Sequence, residues 1–270
     1  MARRDAEVAV VGGGVVGCAV ARELAQRGVT TVLLEAEASV ATAASGTNSG
    51  IVHTGFDSKP GELETEMILR SGELRPALTR ALGVTMRRCG AVLRADNPEQ
   101  REAVAALAAN AAVNGVAVEQ PSEDELVVPG ESITDPVAFT EALAESAVRA
   151  GAGVRTGTPV ARIAASDGAL RVELTGGGSV NARAVANCAG LHADELAPVP
   201  FTVYPRKGEF LVFAQPGEPL ERILLPVPSA AGKGVLVFPT VDGHVIAGPT
   251  ARDREDKRDW SVEGDAAELN

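Results

Sequence analysis

An α/β fold interrupted by α+β material is what this sequence predicts, and three observations predict it. The opening, Glu7 to Glu35, runs strand, glycine turn, helix, strand. Helical stretches and a strand that belong to no such unit come after it, before a helix entered at Asp135-Pro136 leads back into strands near Gly153. From Phe201 onward, short β-rich runs alternate with Gly and Pro. A parallel sheet begun at the N-terminus, left, and resumed is the arrangement these pieces imply.

Each element has a local reason. Glu7–Val11 is a short β-rich run and Gly12–Gly17 is a turn. Val16–Gln26 carries Ala, Arg, Glu and Leu with its apolar residues on one face, and Gly28 suits its stop. Thr30–Glu35, reading TTVLLE, is a second buried strand. Ala41–Gly50 contains only small or polar residues and reads as a loop. After Pro60-Gly61 a helix is expected to Leu82, with Leu63, Met67, Leu74 and Leu78 near helical spacing. A strand over Val84–Arg94, a helix over Pro98–Asn114 and an acidic loop over Ser122–Ser132 come next. Asp135 is a good N-cap and Pro136 a good first residue for a helix over Val137–Ala150, closed by Gly151. Strands Val160–Ala165, Leu170–Leu174 and Val180–Val185 are linked by turns at Ser166-Asp167-Gly168 and Gly176-Gly177-Gly178. A charged helical piece is expected after Arg258.

Composition narrows the function. The 25 basic and 36 acidic residues give a formal charge of −11, which argues against non-specific nucleic-acid binding. Cys18, Cys89 and Cys188 form no CxxC pair, so no metal site is expected, and Cys18 and Cys188 read as small buried hydrophobes. The apolar stretch Val8–Ala21 is too short and too glycine-rich to cross a bilayer, and no integral membrane segment is expected. The cytoplasm is the default location.

The strongest motif is VAVVGGGVVGCAVARELAQRG with TTVLLE behind it. Gly12, Gly14 and Gly17 supply the GxGxxG spacing between strand and helix. Gly12 permits a tight turn, Gly14 lets backbone approach a pyrophosphate, and Gly17 lets helix lie close on strand. Val15 and Val16 then open the helix, whose free N–H groups face the phosphates. Glu35, with Ala36 after it, ends the second strand where a carboxylate can accept ribose hydroxyls. This is a Rossmann-type dinucleotide unit.

The residues beyond Glu35 carry a resemblance. The stretch AASGTNSGIVHTGFDSKPGELETEMILRSGE, Ala43–Glu73, resembles the D-amino-acid oxidase-like superfamily of FAD-dependent oxidoreductases. Its nearest resemblance is to glycerol-3-phosphate dehydrogenases and L-2-hydroxyglutarate oxidases. VANCAGLHAD, PRKGEFLVF and KGVLVFPTVDGHVIAGPTARDREDK agree with it, the last leaning towards the glycerol-3-phosphate branch. The resemblance implies a discontinuous FAD-binding domain over residues 1–82 and 135–198 and a substrate domain over 83–134 and 199–270. It implies that Ser45, Gly46, Thr47, Asn48 and Ser49 contact phosphate, that Gly50 and Ile51 run past the isoalloxazine, that Val160 meets the adenine end through its backbone, and that Ala189 and Gly190 line FAD. Family members continue past the equivalent of Asn270, so the C-terminal part of the family fold is expected to be absent here.

The implied chemistry is hydride transfer from a small hydroxylated anion, glycerol 3-phosphate first, to flavin N5. Alternatives are oxidation of L-2-hydroxyglutarate, or of an amino acid or amine, on the same fold. A non-catalytic FAD-binding fragment is a third. His53 is the candidate base or substrate orienter, and Arg206, before a strand, the candidate partner for phosphate or carboxylate. Lys207 and Lys59 are weaker candidates, while His192, His244 and Asp194 read as structural. The electron acceptor would be oxygen or a quinone, the latter with peripheral membrane association.

Overall fold

The computed structural model describes residues 5–166, 168–214, 217–228 and 234–264. In chain order its elements begin with β1 (Ala6–Val11), α1 (Val15–Gln26), β2 (Thr31–Leu34), β3 (Ile51–Val52) and α2 (Leu63–Leu82). Next come β4 (Met86–Arg88), β5 (Ala91–Arg94), α3 (Pro98–Val113), β6 (Glu119–Ser122), β7 (Glu125–Val128), β8 (Ser132–Thr134) and α4 (Pro136–Arg149). After these stand β9 (Gly153–Arg155), β10 (Val160–Ser166), β11 (Ala169–Leu174), β12 (Ser179–Asn187), β13 (Arg206–Lys207) and β14 (Leu211–Phe213). The last are β15 (Ile223–Leu225), β16 (Leu236–Pro239), β17 (Val245–Gly248) and β18 (Arg252–Asp253).

The chain forms two compact units: Met1–Ser49 with Pro136–Pro205 and Arg254–Arg258, and Gly50–Asp135 with Arg206–Asp253 and Asp259–Asn270. They change over earlier in the chain than the resemblance implies, at Ser49/Gly50, and α2 falls in the second unit. The cause is strand pairing. Ile51 and Val52 lie antiparallel to Ile133 and Ser132, which ties the chain to the second unit directly after Ser49. Residues up to Pro205 stay with the first because Asp194 Oδ2 accepts the Val203 amide and the Pro205 carbonyl accepts the Arg254 amide.

The first unit holds a sheet in the order β10-β11-β12-β1-β2-β9. β12, β1, β2 and β9 are parallel, while β10 and β11 add an antiparallel edge. Ala9, Val11, Val32, Leu34, Val172, Val180 and Ala182 bury their side chains in one core on this sheet. At about 25 cal/mol per Å² of apolar area, that burial is what holds the strand order. α1 packs on β1, β2 and α4, where Arg22 Nε donates to Ser146 Oγ at 3.0 Å.

The second unit holds a sheet in the order β14-β17-β16-β15-β5-β7-β6, a small sheet β3-β8-β4 and the pair β13-β18. Phe238, Leu93, Leu126, Val128, Ile133 and Ile223 are its buried centre, with Val104 and Ala111 supplied by α3. α3 starts where its sequence dictates: Asn97 Oδ1 accepts the Gln100 amide at 2.9 Å and Gln100 Oε1 accepts the Asp96 amide at 2.7 Å.

Four expectations change. The strand expected over Val84–Arg94 is two strands in different sheets, because Gly90 takes φ +71° and its amide donates to the Glu131 carbonyl. The acidic loop expected over Ser122–Ser132 contains β7, whose Leu126–Val128 are buried, and β8 begins at Ser132. Leu63, Met67 and Leu74 of α2 are exposed, and the helix buries Thr65 and Thr79 instead. No helix forms over residues 254–264, and the rest of the expected C-terminal helix lies outside the described residues. Asp167 of the expected 166–168 turn also lies outside them. Among the described residues no helix is long and apolar enough to cross a membrane.

Candidate functional site

The C-terminal ends of the parallel strands in the first unit meet at the glycine turn. β1 has β2 on one side and β12 on the other, which makes its end a topological switch point, the usual ligand position of an open α/β sheet. Gly12 takes φ +106°, its amide donates to the Leu34 carbonyl at 2.8 Å, and a Cβ there would stand 2.3 Å from the Cys188 carbonyl oxygen. A Cβ on Gly17 would stand 1.9 Å from the Gly12 carbonyl oxygen. The first and third glycines thus let strand, turn and helix pack with no side chain between them.

Gly14 is the N-cap of α1 and makes no side-chain cap, and the first turn of α1 has no acidic residue. The Val15 amide donates to Ser45 Oγ at 2.9 Å, and a Cβ on Gly14 would lie 3.0 Å from that oxygen. Ser45 therefore lies over the helix N-terminus, brought there by the small-residue loop. Gly46 is required within it, since a Cβ would stand 1.8 Å from the Ala41 carbonyl oxygen. Thr47 donates its amide to Ala43 O at 3.2 Å, and Val16 is exposed beside this turn.

Glu35 closes the same corner. Its Oε2 accepts the Gly13 amide and its Oε1 the Glu37 amide at 2.8 Å. A carboxylate has about four lone-pair positions, so acceptor capacity remains beside the exposed Ala36. The Glu35 carbonyl takes the Thr158 amide at 2.8 Å, which brings the start of β10, and Val160, into this neighbourhood. From the other side, β12 ends next to β1, and the Cys188 amide donates to the Val11 carbonyl at 2.8 Å. Ala189 and Gly190 come directly after it in the chain. Gly12, Gly14, Val15, Gly17, Glu35 and Ser45 are thus joined by bonds or close contacts, and Ala189 adjoins Cys188 at the same corner. Cys18, fully buried behind the turn, has its thiol pushed up to about 12 by burial, then by the charge of Glu35 and by Cys188.

His53 lies in the second unit, just past β3. Its Nδ1 stands 2.9 Å from Oε2 of Glu131, whose side chain is 0% exposed, while the imidazole is 43% exposed. The other carboxylate oxygen of Glu131 accepts from the Thr54 amide at 2.7 Å and from Thr54 Oγ1 at 2.8 Å. Arg75 Nη2 donates to the His53 carbonyl at 2.9 Å. Burial pulls the Arg75 guanidinium below its ordinary range, and Glu131 pushes it back up. Glu131, Thr54 and Arg75 were not singled out from the sequence. The available signal was an acid after Pro129-Gly130, flanked by the β-rich runs Leu126–Val128 and Ser132–Thr134.

Arg206 is held elsewhere. Its Nε and Nη2 meet Oδ1 and Oδ2 of Asp253 at 2.6 and 3.0 Å, a two-pronged pair across β13 and β18. Lys207 lies among Glu209, Asp259 and Glu263 at 3.5, 3.7 and 3.5 Å. Lys59 pairs with Glu62, His192 with Glu195 and His244 with Asp242. Asp194 accepts the Val203 amide and pairs with Lys257, whose ammonium holds the carboxyl below its ordinary range.

A parallel sheet with a glycine turn at its switch point and an acid closing the next strand defines a dinucleotide-binding α/β protein. The family model for FAD-dependent oxidoreductases, DAO, matches residues 7–270, and the chain belongs to that family. Glycerol 3-phosphate dehydrogenase of Caloramator mitchellensis is 31% identical over 93% of this chain and 56% of its own. L-2-hydroxyglutarate dehydrogenase of Escherichia coli K12 is 27% identical over 93% of this chain and 66% of its own. The solved structure of dithionite-reduced L-α-glycerophosphate oxidase from Mycoplasma pneumoniae with FAD bound superposes with a TM-score of 0.88 at 27% identity. That match covers 98% of this chain and 76% of the oxidase. The chain spans little more than half the length of the Caloramator relative.

Proposed function

We propose that this chain binds FAD on its first unit and serves the oxidation of a small hydroxylated anion, with glycerol 3-phosphate the first substrate to try. The observation that carries the reading is the open N-terminus of α1, with glycines at Gly12, Gly14 and Gly17 and Ser45 against the Val15 amide. Such a site suits a pyrophosphate: helix N–H groups and the helix dipole favour the anion, and no first-turn acid opposes it.

The residues fit the cofactor in kind. Gly14, Val15, Val16 and the Ser45–Ser49 loop would take the phosphates, Glu35 and Ala36 the ribose, Val160 the adenine end. Ala189 and Gly190 would line the flavin. When bound, FAD supplies the hydride acceptor. The chain must then orient the carbinol carbon, remove the hydroxyl proton and hold the anionic end. His53 is the candidate for the proton. Arg206 could hold the anion only by giving up Asp253, so a substrate anion would have to replace a carboxylate already bound through two hydrogen bonds.

The test is the visible spectrum of the purified protein before and after anaerobic glycerol 3-phosphate. A flavin spectrum that bleaches is the expected result. A spectrum that stays oxidised with glycerol 3-phosphate but bleaches with L-2-hydroxyglutarate moves the substrate to the second reading, which the E. coli relative favours. Bleaching only with an amino acid or amine moves the chemistry to a C–N bond. A protein that takes up no flavin from added FAD overturns the proposal. Whether re-oxidation needs oxygen or a quinone names the acceptor.

A further inference from the structure

Glu131 is a buried carboxylate outside the cofactor corner, and burial of such a group is costly unless its oxygens are bonded. Only Oε1 is hydrogen-bonded, Oε2 accepting no aligned hydrogen bond as the ring stands, yet the two oxygens face two consecutive residues. Oε1 takes both donors of Thr54, and Oε2 stands at Nδ1 of His53. The backbone explains the placement. β3 and β8 pair Ile51 with Ile133 and Val52 with Ser132, so the same register, continued by one step, sets His53 opposite Glu131. The Gly130 backbone approaches Thr54 closely, since a Cβ there would stand 2.7 Å from Thr54 Cγ2. The Gly90 amide holds the Glu131 carbonyl at 2.9 Å.

We propose that Glu131 is the positioning residue for His53: it fixes the imidazole, holds the ring proton on Nδ1, and so presents Nε2 as the proton acceptor. This rests on the reading of His53 as the base. Oε2 is buried, accepts no aligned hydrogen bond as the ring stands, and lies 2.9 Å from Nδ1. A carboxylate offers no hydrogen, so the one that a small turn of the ring would place between them is Nδ1–H, and the neutral ring then has its lone pair on Nε2. When Nε2 takes a proton from a substrate hydroxyl, the imidazolium forms 2.9 Å from a negative charge shielded from water. Other groups face the pair. Arg75, from α2, opposes a second positive charge, but it is bonded to the His53 carbonyl rather than to the ring. The Cys89 thiol lies within reach of the Glu131 charge and is held neutral by burial, with Arg87 acting on it in the opposite sense. The nearer carboxylate decides the sign.

The experiment is an NMR titration of the imidazoles of the flavin-loaded, oxidised protein, with His53 assigned by its loss in H53N and the other two residues, His192 and His244, as internal controls. In the wild type, ¹⁵N shifts should give the Nδ1–H tautomer. In E131Q the His53 pKa should fall by about one pH unit, a tenfold change, because the neighbouring charge is gone while the shape is kept. The acidic limb of the kcat/KM profile should move down by the same amount, kcat should fall and KM should hold, with E131D recovering part of kcat. A wild-type Nε2–H tautomer overturns the proposal, and needs no variant to fold. So does an E131Q protein whose His53 titration is unchanged, even if H53N abolishes turnover. In that case His53 stays the base without Glu131. If the His53 titration moves and the rate profile does not, His53 is not the base and both readings fall.

Discussion

Gly17→Ala separates two physical effects that predict opposite signs. Gly17 sits in the first turn of α1 with helical backbone, where replacing Gly by Ala normally stabilises by about 1 kcal/mol. Here the new Cβ would stand 1.9 Å from the Gly12 carbonyl oxygen, with Cys188 Cβ at 3.3 Å behind it. The obstacle is backbone in a turn that is itself held by the Leu34 carbonyl and hemmed in by the Cys188 backbone, so no side chain can swing aside. Restoring ordinary contact requires α1 to move off β1 by more than about 1 Å, and overpacking of this kind costs about 1–3 kcal/mol. Taking the top of that range and subtracting the propensity gain leaves about 2 kcal/mol of destabilisation, roughly 30-fold in the folded ratio. Urea unfolding by circular dichroism should show a lower midpoint, and hydrogen exchange over Ala6–Gln26 should locate the loss. FAD affinity should fall with it if this turn receives the pyrophosphate as proposed, since the turn is displaced. A midpoint equal to or above wild type would refute the close-packing account of the third glycine.

Three further outcomes are expected. Cys18 holds its proton to about pH 12, against 9.0 for an ordinary thiol. Its contribution is intact below pH 9 and is lost between 9 and 12, as the unfolded chain ionises first; C18A should therefore show a flatter decline of urea midpoint between about pH 8 and about pH 10.5 than wild type. Ser45→Ala removes the acceptor of the Val15 amide and should cost about 1 kcal/mol in urea unfolding, with weaker FAD retention on gel filtration. Arg206→Ala breaks an exposed pair with Asp253 and should leave both the midpoint and the KM of an anionic substrate nearly unchanged. A tenfold rise in KM would return Arg206 to the role of substrate anchor.

The glycine-turn corner was legible in the sequence because each of its parts has a local signature. A glycine at φ +106° between a β-rich run and a helix, an acid ending the next strand, and a loop without large side chains are all written within residues 7–50. The helix starting at Pro136 was legible for the same reason. What stayed hidden depends on pairing between distant segments. β7 and β8 were hidden by Glu123, Asp124 and Glu125, which look like a solvated loop although Leu126–Val128 bury completely or nearly so. The break inside the expected Val84–Arg94 strand needed Gly90 to find the Glu131 carbonyl, 41 residues on.

The same limit explains why the sequence offered His53 without Glu131. A histidine after NSGIV can be noticed alone, whereas its partner is defined by the register of β3 on β8, and a one-residue slip would send Glu131 to the opposite face. The register is set by apolar residues: Ile51 and Ile133 face each other in the buried core. Burial of two isoleucines thus determines which carboxylate meets the imidazole. A hydrophobic pairing two residues away fixes the electrostatics of the candidate base, so Ile133→Ala should disturb the His53 titration even though the isoleucine carries no charge and is not hydrogen-bonded to the ring through its side chain. An unchanged titration in a folded Ile133→Ala protein would show that Thr54, not the strand register, holds Glu131 in place.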